Sequence, residues 1–89
     1  MNIGNIHNYY ESLVGEYLMQ ELDDEQLQDQ DFLEDVACLA LNRLPARYVR
    51  HDVDMAFFLS TTEREQMQTA VMESVGAAIE QVQHVRRRG

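Results

Sequence analysis

Residues 31–45, DFLEDVACLALNRLP, hold the most apolar segment of the 89-residue chain. Asp31 and Glu34 have the spacing of a capping box, which predicts a helix that begins at Phe32. Pro45 disfavours helical geometry at the residue before it, so the helix is predicted to end at Asn42 or Arg43. Because apolar side chains lie all round this helix, we expect it to be the buried central one. The single cysteine, Cys38, lies within it and is expected to be buried and reduced.

A first helix is predicted upstream, from about Tyr9 to Leu22, with Asn8 as its N-cap. Five apolar residues of this segment recur at the spacing of one helical face: Tyr10, Leu13, Val14, Tyr17 and Leu18. Gly15 interrupts the helix, which indicates close packing at that position. Residues 1–7 have no periodicity and are interpreted as an N-terminal arm. Residues 23–31 are acidic and are predicted to form a mobile loop.

Two further helices are predicted downstream, after a turn and a short extended piece at residues 45–51. The shorter runs from about Val53 to Leu59, with Asp52 as its cap, and four of its residues are expected in the core: Met55, Phe57, Phe58 and Leu59. The longer begins with a capping box at Thr62 and Glu65 and runs to about Val85. It carries a heptad seam at Val71, Val75, Ala78, Val82 and Val85. That seam either covers the core or also pairs with a second copy, which small residues 76–78 would permit.

These patterns predict one compact all-α domain over residues 1–89, with about four helices, a long C-terminal helix and a basic tail at residues 86–89. A chain of this length buries only about 60–65% of its unfolded surface, so its monomer is expected to be marginally stable. One cysteine cannot form a disulfide within the chain. We therefore expect a homodimer as the additional support.

The charge distribution excludes some partners. The formal net charge is -9, residues 1–42 contain neither Lys nor Arg, and all seven basic residues are arginines between positions 43 and 88. Because duplex nucleic acid requires a basic face, the chain is not expected to bind it. No run of about 20 apolar residues predicts a membrane span. The N-terminus lacks the pattern of a signal peptide, so a cytoplasmic protein is expected.

Catalytic and metal-binding patterns are missing from the sequence. The three histidines are far apart, the four glycines are scattered, and the acidic segment 23–31 lacks the spacing of an EF-hand loop. Cys38 lies in apolar surroundings, which raise the pKa of a thiol and make it a poor nucleophile. We expect a protein without enzymatic activity, without a cofactor and without a metal site.

The strongest functional pattern is an arginine cluster around the only proline. Arg43, Arg47 and Arg50 lie within eight residues, beside Tyr48 and His51. Guanidinium groups bind phosphate bidentately and stack on purine rings, so the cluster suits a nucleotide. A structural interpretation stays open: Arg43 favours its helix C-terminus, and Arg47 and Arg50 could pair with the acidic N-terminal half.

The stretch Leu39 to Val49, LALNRLPARYV, resembles the ALN-x-LP-x-RY-V core of the late competence development protein ComFB family. NYYESLV at residues 8–14 is similar to the first helix of that family, and Asp35-Val36 to its second. The resemblance implies a helical homodimer with a role in bacterial competence, type IV pili or motility. Some members are cyclic di-nucleotide receptors. Others carry several cysteines suited to zinc where this chain has its acidic segment, so zinc is not expected.

Resemblance and arginine chemistry together predict a regulatory receptor for cyclic di-GMP or cyclic di-AMP. The residues expected to bind it are Arg43, Arg47, Tyr48 and Arg50. The alternative is a homodimeric protein-interaction adaptor with no small-molecule ligand, whose acidic half faces a basic protein partner.

Overall fold

A computed structural model describes residues 1–88, which are predominantly helical. Five helices and one two-stranded antiparallel sheet occur in these residues. In chain order the elements are β1 (His7–Asn8), α1 (Tyr9–Glu21), α2 (Asp24–Leu27), α3 (Gln30–Arg43), β2 (Tyr48–Val49), α4 (Asp52–Phe58) and α5 (Thr61–Arg88). In the sheet, His7 is opposite Val49 and Asn8 is opposite Tyr48. The predicted helical fold and the long last helix are confirmed, and α2 and the small sheet are additions.

One hydrophobic core lies between α1, α3 and α5. Its largest fully buried side chains are valines, one from each of these helices: Val14, Val36 and Val75. Met55 of α4 adds apolar surface, as do Leu44 and Leu59, which follow α3 and α4 directly. The helical stripe predicted for α1 is confirmed, since Tyr10, Val14 and Leu18 are all buried.

The α3 helix buries one face only. Phe32, Val36 and Ala40 are buried at a spacing of four residues, whereas Cys38 is exposed. The prediction that Cys38 is buried was therefore wrong. The other apolar residues of α3 rest against the edge of the core because the bundle has no element that covers its outer face.

The heptad seam of α5 covers the core of its own chain. Val71, Val75, Ala78 and Val82 are buried in that core, and Val85 is 62% exposed. The sequence left open whether the seam covers the core or also pairs with a second copy. Coverage of the core accounts for these four buried residues. They present no free surface to a second copy.

Helix starts differ from the sequence prediction by up to two residues. Asp29, not Asp31, caps α3, and its carboxylate accepts a hydrogen bond from the Phe32 N–H at 3.1 Å. At α5 the capping pair is Ser60 and Glu63 rather than Thr62 and Glu65. Both segments contain more than one acid or hydroxyl residue at capping spacing, and the structure uses the earlier one in each case.

The acidic segment between α1 and α3 has secondary structure, contrary to the predicted loop. It contains the one-turn helix α2, capped by reciprocal hydrogen bonds between Asp23 and Gln26. Asp29 accepts a hydrogen bond at 2.9 Å from Arg86, whose guanidinium also lies 5.2 Å from the centre of the Phe32 ring. The arginines at positions 86–88 thus belong to α5, and Arg86 holds its end against the start of α3.

The short helix α4 differs most from expectation. Met55 and Leu59 are buried as predicted, but Phe57 is 79% exposed and Phe58 is 74% exposed. Only one face of a helix this short reaches the core, and Met55 and Leu59 occupy it at i and i+4. In residues 1–88, no helix combines the length and apolar character that crossing a membrane requires.

Candidate functional site

The segment that follows α3 is held to the start of α1 through its backbone. The Arg47 N–H donates to Asn8 Oδ1 at 3.0 Å, and the Arg47 carbonyl accepts from the Tyr9 N–H at 2.7 Å. Asn8 Oδ1 also accepts from the Tyr10 N–H, and Glu11 accepts from the Asn8 N–H at 3.0 Å. Asn8 therefore caps α1 and fixes Arg47 with the same oxygen atom.

Arg47 makes these hydrogen bonds with backbone atoms, so they do not occupy the side chains of the candidate binding residues. Arg43 lies in the last turn of α3, Arg47 directly precedes β2, Tyr48 begins β2 and Arg50 follows it. All four side chains are exposed, and Tyr48 is 65% exposed. All four thus lie within residues 43–50, the arginine segment, which runs from the end of α3 to just before α4, although the structure does not show them in contact with each other.

The acidic half of the chain does not neutralise these arginines. Within residues 1–88 the acid–base pairs at contact distance are Asp29 with Arg86 and Asp52 with His7. The structural interpretation of the arginine cluster predicted that Arg47 and Arg50 could pair with carboxylates of the acidic half. Neither pair occurs in residues 1–88. Arg43 does have the predicted position at a helix C-terminus, where its charge is favourable.

Arg47 also borders a shallow cavity of about 260 Å³ at this end of the bundle. Tyr10, Pro45, Glu63 and Met67 line it as well, so it joins the start of α1, the end of α3 and the start of α5. Burial raises the pKa of the Tyr10 phenol, and the positive charge of Arg47 partly opposes that rise. The cavity is small for a nucleotide, so a bound nucleotide would lie largely on the surface beside it.

No pattern in the sequence indicates the polar cluster that holds α4 in place. Asp52 accepts a hydrogen bond from Ser12 Oγ at 2.8 Å and contacts His7 Nε2 with its other oxygen. These two contacts lower the pKa of Asp52, with His7 the larger cause. The cluster joins β1, α1 and α4 across about 40 residues of sequence, a distance at which helical periodicity carries no information.

The acidic residues and the histidines do not assemble into a larger group. In the described part of the chain, no three His, Cys, Asp or Glu residues are close enough to hold a metal ion together. His7 is bonded to Asp52, whereas His51 and His84 are exposed on different elements.

The fold and this segment define a small helical bundle whose exposed arginine and tyrosine side chains are carried on a backbone-anchored turn. The sequence model of the late competence development protein ComFB matches residues 7–86, and the chain belongs to that family. It is therefore a competence-related bacterial protein. No curated protein and no solved structure matches the chain.

Proposed function

We propose that this protein is a non-enzymatic receptor for cyclic di-GMP or cyclic di-AMP, and that it regulates competence, type IV pili or motility. The observation that carries the proposal is the set of three exposed guanidiniums without carboxylate partners in residues 1–88, Arg43, Arg47 and Arg50, on one segment with the exposed ring of Tyr48.

The chemistry of this segment matches a ligand with phosphates and purines. A guanidinium fork bonds two phosphate oxygens at once, and both arginine and tyrosine stack on purine faces. The backbone hydrogen bonds of Arg47 fix the segment before the ligand binds, which lowers the entropic cost of binding.

We propose further that the receptor is a homodimer that forms through α4. Phe57 and Phe58 together present roughly 200–400 Å² of apolar surface at their observed exposure. Val53 lies one turn before Phe57 and is also exposed. A standard interface buries about 800 Å² per partner, so this face supplies a large part of one. A dimer brings two arginine segments to a ligand that has two phosphates and two bases.

The test of the receptor is isothermal titration calorimetry with cyclic di-GMP, cyclic di-AMP and ATP at physiological salt. Micromolar or tighter binding of one cyclic di-nucleotide is expected, with no heat from ATP, because ATP lacks the paired bases. If none of the three nucleotides binds, the receptor proposal is wrong.

The second candidate is a homodimeric adaptor without a small ligand. The exposed phenylalanines of α4 favour it, because apolar surface of this kind marks protein interaction sites. An adaptor is expected to dimerise through α4 without binding any of the nucleotides above. Because both candidates are dimers through α4, calorimetry with the three nucleotides separates them, and sedimentation tests the dimer that they share.

A further inference from the structure

A groove of about 560 Å³ lies between α1 and α5, away from the arginine segment. Its lining contains no residue of the proposed nucleotide site. From α1 it is lined by Leu13, Glu16, Tyr17 and Gln20, and from α5 by Glu65, Gln68, Thr69, Val71 and Met72.

The spacing of these residues suits a helical partner. Residues 13, 16, 17 and 20 of α1 follow the pattern i, i+3, i+4, i+7, and residues 65, 68, 69 and 72 of α5 repeat it. Two such stripes on neighbouring helices enclose a trough about two turns long. A third amphipathic helix packs into a trough of this kind with its apolar face inward.

The chemistry of the groove specifies the partner. Leu13, Tyr17 and Met72 provide apolar surface, and Met72 is 50% exposed. The charged lining is acidic, from Glu16 and Glu65, and no basic residue lines the groove. A helix with apolar residues on one face and lysine or arginine on its flanks is complementary to both features.

Residues 1–88 do not themselves offer such a helix. Its exposed arginine-rich end is the last turn of α5, where Arg86 is already bonded to Asp29. Of the apolar residues in the turns that precede this end, Val75, Ala78 and Val82 lie in the core and Ile79 packs against it. A second copy therefore lacks a free basic amphipathic helix for the groove.

We propose that the groove between α1 and α5 binds a basic amphipathic helix of another protein. This contact goes beyond nucleotide binding and uses different residues. It provides a surface through which a regulatory protein of this size acts on a downstream partner.

The test uses a synthetic capped peptide of about 16 residues, long enough to be helical in part, with leucines along one face and lysines on both flanks. A fluorophore on the peptide reports binding by anisotropy at about 0.15 M salt. Two pairs of single variants are compared. Glu16→Lys and Met72→Ser change the groove, whereas Glu34→Lys on α3 and Met19→Ser on α1 make the same changes at exposed positions outside it.

We expect the peptide to bind the unmodified protein, Glu16→Lys to weaken binding about tenfold, and Met72→Ser to weaken it about fivefold. The control variants and Arg47→Ala should bind as the unmodified protein does, so this result is independent of the nucleotide site. Absence of binding up to about 100 μM peptide would overturn the proposal. Equal weakening by groove and control variants would do so as well, because it indicates non-specific attraction. A dimer that Met72→Ser dissociates would assign the groove to a second copy instead.

Discussion

Gly15 lies exposed in the middle of α1, and a methyl group added there would meet no atom within 4 Å. The sequence prediction of close packing at this glycine was wrong. No residue in 1–88 has a positive backbone φ angle, so the backbone at Gly15 has a conformation that alanine also adopts.

Gly15→Ala should therefore raise the free energy of unfolding by about 0.5–1 kcal/mol, because alanine loses less backbone entropy in a helix. Urea unfolding followed by circular dichroism measures the change. Gly76→Ala on α5 has equally open space and should behave alike. If Gly76→Ala instead disrupts a dimer, a second copy packs closely on α5.

Two exposed aspartates link stability to pH. The Arg86 hydrogen bond is the main cause that lowers the pKa of Asp29, and the His7 contact is the main cause for Asp52, each from an ordinary value of 3.8. A lowered folded-state pKa means that the carboxylate contributes stability above its unfolded pKa and loses it as pH falls through the folded value.

The double variant Asp29→Asn, Asp52→Asn should accordingly show a flatter decline of stability below about pH 4 than the unmodified protein. Thermal unfolding between pH 7 and pH 2 measures the decline. The control is Asp31→Asn, Asp35→Asn, whose aspartates form no ion pair at contact distance in residues 1–88. Parallel curves for all three proteins would contradict the assignment.

At the scale of elements, Asn8 joins the first helix to the arginine segment. Its side-chain oxygen accepts from Tyr10 and Arg47, so its removal leaves two backbone donors without a partner. Asn8→Ala should lower the free energy of unfolding by about 1–2 kcal/mol.

Asn8→Asp keeps the acceptor oxygen and is the matched control, with stability expected close to that of the unmodified protein. Chemical unfolding of the three proteins gives the comparison. If Asn8→Ala and Asn8→Asp are equally stable, the shared oxygen atom contributes little.

The sequence predicted the elements that its local signals specify. The Asn8 cap and the end of α3 before Pro45 follow from rules that act within a few residues, and both are confirmed. The long last helix is confirmed as well, although it runs to Arg88 and does not end near Val85. Those local rules did not predict that Cys38, Phe57 and Phe58 are exposed. Periodicity shows which residues share a face, but the packing of distant elements decides which face is covered.

The candidate site was likewise predictable only where its residues are close together in the sequence. The sequence identified Arg43, Arg47, Tyr48 and Arg50 as one local cluster, and the structure places them on one segment. The contacts of Asn8 with Arg47 and of His7 with Asp52 join positions about 40 residues apart. Local patterns in a single sequence do not show which residues so far apart along the chain come into contact.

At the scale of the whole molecule, charge is divided between two ends. The end of α5 with Arg86 lies against the acidic start of α3, whereas Arg47 lies by the start of α5 at the other end. Arg86 of the tail is thus paired with the neighbouring acidic segment. The arginines of the other end are free for an anion.

The double variant Phe57→Ser, Phe58→Ser should shift the protein from dimer to monomer without loss of helix content, because both side chains are exposed in the single chain. Sedimentation velocity over a concentration series measures the shift. Val85→Ser, at an exposed apolar residue of α5, is the control and should stay dimeric. An unmodified protein that is monomeric throughout would contradict the α4 dimer.

On the proposed function, the Arg47 side chain binds a cyclic di-nucleotide while the Arg47 backbone supports the fold. The most direct test is calorimetric titration of Arg47→Ala beside the unmodified protein, with Arg88→Ala at the opposite end as a control of equal charge. We expect Arg47→Ala to keep its helical circular dichroism and its unfolding transition, since its hydrogen bonds are made by backbone atoms, yet to lose nucleotide binding. Arg88→Ala should bind normally. Unchanged binding by Arg47→Ala would contradict the claim and make Arg47 a structural residue.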